Sequence, residues 1–407
     1  MNLFEQSFIS DQINNILSFY DKRVINNQGG YFQNFNDDGE LFSSAVKHIY
    51  SSCQLVASYS CAASYFDNSD YRQFVSHGID YIEKYHWQSD VQKYAICMHD
   101  NHAVDLTTKA QAYAWLLIGY SAALKAKILN HDALIIKVFN LLERDFWLSD
   151  IGLYAEELGV DNVLTDYRGQ SANMHICQAL ISVYEATQDE FFLQRAKTVA
   201  YNVTVNYASD TKGLIWDHYC KTYQVDWLYN RDDPHNTKRP WGFQSGHQVQ
   251  WAKILLQLHR YNSDSWLLEK AKLLFDITFD VAWDENNGGM FSSFDPSYEC
   301  HSTNKYFWVQ AESIAASALL FQFTDDANYL EIYTKLWQYC LEYMIDSEHG
   351  AWFSEAKFEN SPCENEKASA GIKSDYENMA ACFEVLKVLG WFDIDMLVNQ
   401  TVSYQNF

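Results

Sequence analysis

Apolar side chains recur every three or four residues along most of this chain, which is the spacing of one buried helix face. The stretches come in pairs. YSSCQLVASYSCAASYF is followed by YRQFVSHGIDYIEKY, and KAQAYAWLLIGYSAALKA by ALIIKVFNLLERDFW. Three more pairs follow, opened by ANMHICQALISVYEAT, GHQVQWAKILLQLHRY and YFWVQAESIAASALLFQF. A leading helix near residues 3–25 and a closing helix, YENMAACFEVLKVL, bring the predicted total to twelve. Between the pairs the chain is punctuated at roughly sixty-residue intervals by a small polar cluster, usually a Gly, and then an aromatic. NNQGGYF, SDVQKYA, SDIGLYA, SDTKGLIW, DENNGGMF and DSEHGAWF are the six instances. A repeat of this length marks one supersecondary unit used again and again.

Six helical hairpins stack either as an open solenoid or as a closed ring. The first and last helices are each unpaired, as if they pair with one another, and this favours closure. The predicted fold is all-α: an (α/α)6 barrel, a six-hairpin toroid with short β-hairpins or loops at one end. A single catalytic domain is expected over 1–407. The first helix of each pair carries small residues, such as Ala57, Ala62 and Ala63, and is expected to lie on the inside. One connection, residues 217–246, is much longer than the others and is a candidate lid or pocket wall.

An inner helix of a filled ring should be apolar, so its polar residues carry information. Gln54, Tyr113, His175, His247, Glu312 and Glu377 fall at similar distances after their punctuation marks, which puts them near one level of the ring. His exchanges protons near neutral pH, so two His with carboxylates suit proton abstraction beside a carbonyl. Glu312 and Glu377 on different inner helices also fit a glycosidase pair. No H-x-x-x-H or H-x-x-E-H spacing occurs, and each candidate ligand lies on a different helix, so no metal is expected. No phosphate loop, nucleophile elbow or dinucleotide fingerprint is present.

Composition narrows the partners. The formal net charge of −24 disfavours nucleic acid and anionic membranes. No apolar run reaches the length of a bilayer span, and no secretory signal is visible. Nine Cys without a C-x-x-C pair fit a reducing, cytoplasmic setting. Aromatic residues make up 16% of the chain, which suits bulky helix packing and also a sugar-stacking cavity.

At the candidate residues the chain resembles the N-acylglucosamine 2-epimerase superfamily. SANMHICQALISVYEATQD is similar to the family's A-N-M-H helix, and RPWGFQSGHQVQWAKILL to its R-P-W-G…G-H-Q-x-E-W helix. KYFWVQAESIAA is similar to K-x-x-W-x-Q-A-E, and GAWFSEA…IKSDYENMAACFEVL to G-x-W…K-x-D-Y-H. Within the superfamily the chain looks most like bacterial aldose–ketose isomerases acting on mannose and related sugars. The resemblance implies a twelve-helix barrel, no cofactor, a small sugar substrate and, as one option, a homodimer. It also implies proton transfer between C1 and C2 through a cis-enediol(ate), with His247, Glu377 and His175 as catalytic residues. Gln54, Tyr113, Asn173, Arg239, Gln250, Trp308, Glu312 and Asp375 are the expected substrate-binding residues.

Three positions depart from the family pattern. Its Arg is Gln54, its Glu beside G-H-Q is Gln250, and its second catalytic His is Glu377. Three readings follow: an isomerase with a rewired His247–Glu377 pair, a 2-epimerase, and a catalytically impaired sugar-binding paralogue. Mannose with fructose is the leading substrate pair, and lyxose with xylulose is next.

Overall fold

The computed structural model describes residues 2–159, 162–361 and 366–392. Twelve α-helices run through them: α1 (Gln6–Tyr20), α2 (Ile49–Phe66), α3 (Ser69–Tyr81), α4 (Ala110–Lys125), α5 (Ala133–Phe146), α6 (Gln170–Thr187), α7 (Glu190–Tyr201), α8 (Ser245–Tyr261), α9 (Ser265–Ala282), α10 (Phe307–Thr324), α11 (Ala327–Tyr339) and α12 (Tyr376–Val388). The even-numbered helices pack in sequence, and α12 returns to α2, closing an inner ring. The odd-numbered helices pack outside them, and α1 lies against α12. The expected (α/α)6 barrel is therefore present. Among the described residues no helix is long and apolar enough to cross a membrane.

Burial separates the two rings as residue type predicts. On α10 every residue from Val309 to Leu320 is buried, because neighbours flank it on all sides. Outer α5 buries one stripe, Ile135, Val138, Phe139, Leu141, Leu142 and Phe146. Small inner residues permit close approach. Gly119 on α4 lies so near α2 that a Cβ there would come within 3.1 Å of the Cys53 carbonyl.

Most of the punctuation marks are tight hairpins. Trp87–Gln88 pairs with Lys93–Tyr94, and Trp147–Leu148 with Leu153–Tyr154. Single bridges Ile25–Tyr31, Trp283–Met290 and Ile345–Trp352 repeat the geometry. The fourth mark differs, with a 3-10 turn at Tyr207–Thr211 in place of a hairpin. The conserved spacing of Gly and aromatic has a steric cause at Gly289. It holds φ +83°, and a Cβ would press within 2.6 Å of the Tyr339 ring on the outer helix.

Amide side chains on the first turns of inner helices hold these marks in place. Asn173 accepts from the Tyr154 N–H and donates to its carbonyl, both at 2.9 Å. Gln248 does the same to Ile215 at 2.9 and 2.7 Å, and Gln310 to Met290 at 2.9 and 2.9 Å. Each amide satisfies two buried backbone groups that no strand neighbour reaches.

The long 217–246 connection is a packed wall. Trp216 meets Trp227 at a tilt at 4.7 Å and Phe243 edge-on at 5.1 Å, and Trp241 lies 5.3 Å from His301. Strand His218–Tyr219 pairs with Arg168–Gly169, and Phe243–Gln244 with Ser293–Phe294, so both ends of the connection are tied to hairpins. The expectation of a lid gives way to that of a wall.

Ring closure centres on Asp375, which is fully buried at the start of α12. Its Oδ2 accepts from Tyr20 Oη on α1 and from Lys373 Nζ, each at 2.6 Å. Its Oδ1 accepts from Asn378 Nδ2 at 2.8 Å and from the Trp352 N–H of the sixth mark at 3.3 Å. Removing one donor to a buried charge costs about 2 kcal/mol. Tyr20→Phe is therefore expected to lower unfolding stability by about that amount in a denaturant titration. An unchanged midpoint would show that closure does not depend on this bond.

Candidate functional site

The inner helices begin at the hairpin end of the barrel, and their first turns carry the candidate chemistry. His247 sits in the first turn of α8. Its Nδ1 lies 2.8 Å from Asp217 Oδ1, so Nδ1–H donates to the carboxylate and Nε2 is left without a partner among the described residues. Asp217 is itself anchored by Gln170 Nε2, whose Oε1 accepts from Trp251 Nε1 at 2.6 Å. Burial works against the Asp217 carboxylate, but the adjacent His247 and the Gln170 bond hold its pKa below the ordinary value. Trp308 on α10 lies 5.6 Å from the His247 ring. It fits there because residue 246 is Gly: a Cβ would fall 2.1 Å from the indole.

Glu377 is in the first turn of α12, the inner helix beyond α10. Burial and the neighbouring Glu312 carboxylate push its pKa up to about 7, with Lys253 pulling the other way. Gln54 Nε2 reaches its Oε1 at 3.5 Å, and Gln54 Oε1 accepts from Ser374 Oγ at 2.8 Å. A carboxyl group poised near neutrality is suited to taking and returning protons.

His175 on α6 stacks at 4.9 Å on Trp115, which in turn meets Tyr376 edge-on at 4.9 Å. Burial, with the charges of His247 and Lys253 nearby, pushes its pKa down to about 3. It is therefore a neutral imidazole at physiological pH. A neutral imidazole can accept a proton or a hydrogen bond, and its buried Nδ1 has no partner among the described residues.

Glu312 Oε2 is 2.5 Å from Lys253 Nζ, and both side chains are almost wholly buried. Burial raises the Glu312 pKa, and Lys253 opposes the rise. A carboxylate held by an ammonium group is a poor member of a glycosidase pair, so the arrangement disfavours that reading. Gln250 is buried on the same face of α8, between His247 and Lys253, with no hydrogen bond to a described residue.

Other expected residues lie elsewhere. Tyr113 points outward between Tyr94 and Phe146, and Trp115, two residues on, faces the interior instead. Asn173 is occupied by its clamp on Tyr154, and Asp375 by the closure contacts, so neither side chain is free to hold a sugar. Arg239 stays at the rim. Its guanidinium lies 3.8 Å over the Tyr167 ring and bonds Tyr229 Oη at 3.1 Å and Glu157 Oε2 at 3.2 Å.

Asp217 and Lys253 escape the sequence reading. Asp217 interrupts the apolar run LIW directly after the fourth mark. Lys253 continues the i+3 stripe His247–Gln250–Lys253 and is the only basic residue on it. Both signals are readable in the sequence, but each needs its partner to give it meaning.

The family profile described as N-acylglucosamine 2-epimerase (GlcNAc 2-epimerase) matches residues 30–381. The chain belongs to this family. A D-mannose isomerase of Marinomonas mediterranea is 38% identical over 94% of this chain and 98% of its own length. A D-mannose isomerase crystal structure superposes with a TM-score of 0.93 at 37% identity, covering 95% of this chain and 99% of that one. The cellobiose 2-epimerase structure from Spirochaeta thermophila matches with a TM-score of 0.82 at 16% identity, covering 96% of each chain, and that likeness shows the shared fold alone. Family members are carbohydrate isomerases and epimerases, and this chain is an enzyme of that kind.

The electrostatics of Glu377 make a stability prediction. Its carboxyl moves from 4.5 in the unfolded chain to about 7 in the folded one. Between those values the native state holds the extra proton, so its contribution is present at low pH and lost as pH rises through the folded value. At roughly 1.4 kcal/mol per unit the loss reaches about 3 kcal/mol. On going from about pH 5 to about pH 8.5, Glu377→Gln should gain stability relative to the parent by up to that amount, read by denaturant unfolding. Parallel pH profiles for the two proteins would overturn the assignment.

Proposed function

We propose that the protein is an aldose–ketose isomerase of the mannose/fructose type. The observation that carries this is that two inner helices each bear an acid–base group in their first turn: His247, fixed by Asp217, and Glu377, poised near pH 7. Kinship with D-mannose isomerases over nearly the full chain supports the choice of sugar.

In this reading His247 Nε2 handles the ring oxygen and hydroxyl protons, and Asp217 fixes its tautomer and orientation. Glu377 takes the C2 proton. The C–H electron pair becomes the C1–C2 double bond of the enediolate as the carbonyl π pair moves onto O1; O1 is protonated, O2 gives up its proton to become the C2 carbonyl, and the double-bond pair takes the proton back at C1. Neutral His175 and Gln250 bond sugar hydroxyls, and Trp308 walls the pocket. Lys253, paired with Glu312, supplies the positive field that the family draws from its Arg at the Gln54 position. An interior that keeps its cation favours activity over the impaired-paralogue reading.

Incubation with free aldoses and ketoses, followed by NMR product analysis, tests the reading. Mannose should yield fructose. Accumulation of glucose from mannose without fructose would favour 2-epimerisation, and no deuterium entry at C2 of any sugar would end both enzymatic readings. Glu377→Gln is expected to lower kcat by about 10²- to 10⁴-fold while sugar binding persists. Asp217→Asn, which upsets the His247 tautomer, should lower kcat by at least about 10²-fold with KM little changed. Full activity in either variant would remove that residue from the mechanism.

A further inference from the structure

Glu156 is a half-buried carboxyl that neither ring closure nor the proposed proton transfers employ. It follows the third mark, and its carbonyl accepts from the Ala110 N–H at 3.0 Å. Glu157–Leu158 pairs with Thr108–Lys109, so the backbone here is tied to the start of α4. The side chain reaches the start of α6. Its Oε2 lies against Gly169, where a Cβ would fall 2.7 Å from that oxygen and 3.0 Å from Tyr167 Oη. Gly169 has φ −111°, which any residue adopts, so the glycine is needed for the space it leaves. The next residue, Gln170, anchors Asp217, and Asp217 holds His247. Glu156 therefore stands at the hairpin end, one residue from the contacts that fix His247. In the inner ring α6 is three places from α12, the helix of Glu377.

Oε2 of Glu156 is sealed from solvent and has no hydrogen-bond partner among the described residues, so it does not cap α6. The nearby guanidinium of Arg239 is spent on Glu157, on Tyr229 and on the Tyr167 ring. Other carboxylates at this end are committed: Asp217 to His247, Glu312 to Lys253, and Asp375 to ring closure. Burial pushes the Glu156 carboxyl up to about 6, and Arg239 and Lys109 pull the other way. A sealed, idle carboxyl oxygen costs stability, and such groups gather at functional sites. Its surroundings say what it would hold. Glu156, Glu157 and Asp217 share this corner with only two cations, Arg239 and Lys109. That balance disfavours a phosphate or carboxylate and favours a neutral donor, which a sugar hydroxyl is.

We propose that Glu156 is a further substrate-binding residue, whose free oxygen accepts a hydroxyl at C4 or C6 of the sugar. The inference rests on the isomerase reading for the identity of the sugar. With C2 at Glu377 on α12, the remote end of the sugar lies toward the side of the ring where Glu156 stands. His247 handles the ring oxygen, so the hydroxyls left at that end of a pyranose are those on C4 and C6. Glu156 then fixes the end of the substrate that does not react.

The test is a ligand-observed NMR titration with 1,5-anhydromannitol, a mannose analogue that cannot open and is not turned over, and with its 4-deoxy and 6-deoxy forms. The parent should bind one of the two deoxy forms at least about tenfold more weakly than the complete analogue, because a site built for a hydroxyl rejects the ligand that lacks it. Glu156→Met should lose that discrimination by weakening the complete analogue alone. Glu156→Gln, which keeps an acceptor, should retain part of it, and it carries the test if the Met variant does not fold. A merely structural role would weaken all three ligands alike. Equal discrimination in parent and variants would overturn the proposal, as would a parent that binds the three ligands equally or binds none of them. The expected discrimination in a protein that isomerises no sugar would support the role of Glu156 while removing the reaction proposed for the site. An active isomerase without the discrimination would overturn the role of Glu156 alone.

Discussion

A ring of helices has a constraint that a bundle lacks: its last element must fit against its first. In this protein the requirement falls on the buried carboxylate of Asp375. Its two oxygens receive donors from α1, from the sixth hairpin, from Lys373 and from the first turn of α12. Four partners for one buried charge meet the condition under which such a charge is tolerated. The consequence reaches the chemistry, because Glu377 is two residues further on. The contacts that close the ring fix the start of the helix turn that carries the Glu377 carboxyl. Asp375, expected from its place in D-Y-H to bind sugar, has both oxygens occupied by these closure contacts.

The amide clamps distribute this control around the ring. Asn173, Gln248 and Gln310 each fix a hairpin to the start of an inner helix, and each lies within two residues of a candidate site residue: His175, His247 and Glu312. A helix held at its first turn has its rotation set, and its next inward residue follows. This explains why the polar positions fall at one level, and why the spacing measured from the marks found most of them. The barrel, the hairpins and the level of the site were legible because they follow from local periodicity and repeat length. Rotation was less legible. Tyr113 and Trp115 are two residues apart on α4, about 200° around the helix, and the pattern alone favoured the polar one. Its hydroxyl turned outward among Tyr94 and Phe146, and the indole took the interior. The partners that give Asp217 and Lys253 their roles lie on other elements, so only the assembled fold could single them out.

Three departures from the family pattern become intelligible when the interior is considered as one set of charges. Gln54 and Gln250 remove a cation and an anion, and together they leave the sum unchanged. Glu377 in place of His adds a carboxyl where a neutral or positive group would stand. Lys253 answers it from α8, close enough to restrain the upward pull of burial on Glu377. Without that field, burial and the Glu312 carboxylate would drive the carboxyl further from neutrality and leave it protonated, unable to act as a base. Gln54 touches Glu377 directly, with Nε2 at 3.5 Å from its Oε1, so those two substitutions share one contact.

The interior also shows why a proton-transfer enzyme suits this architecture. An apolar axis would be the more stable filling for a ring of Ala-rich helices, since every buried charge carries a desolvation cost. This barrel accepts that cost along its whole length, from His247 and Glu377 down to Glu185 and Lys387, and offsets it by pairing nearly every charge. Paired charges are fixed dipoles that need no reorganisation when a proton moves among them, whereas mobile solvent would have to reorient. Glu377 has no ion-pair partner among the described residues and is brought near neutrality, and Glu156, beside Gly169 at the start of α6, is raised by burial to about 6. Glu377 can titrate there because Asp217, Glu312 and Asp375 around it are already satisfied by partners.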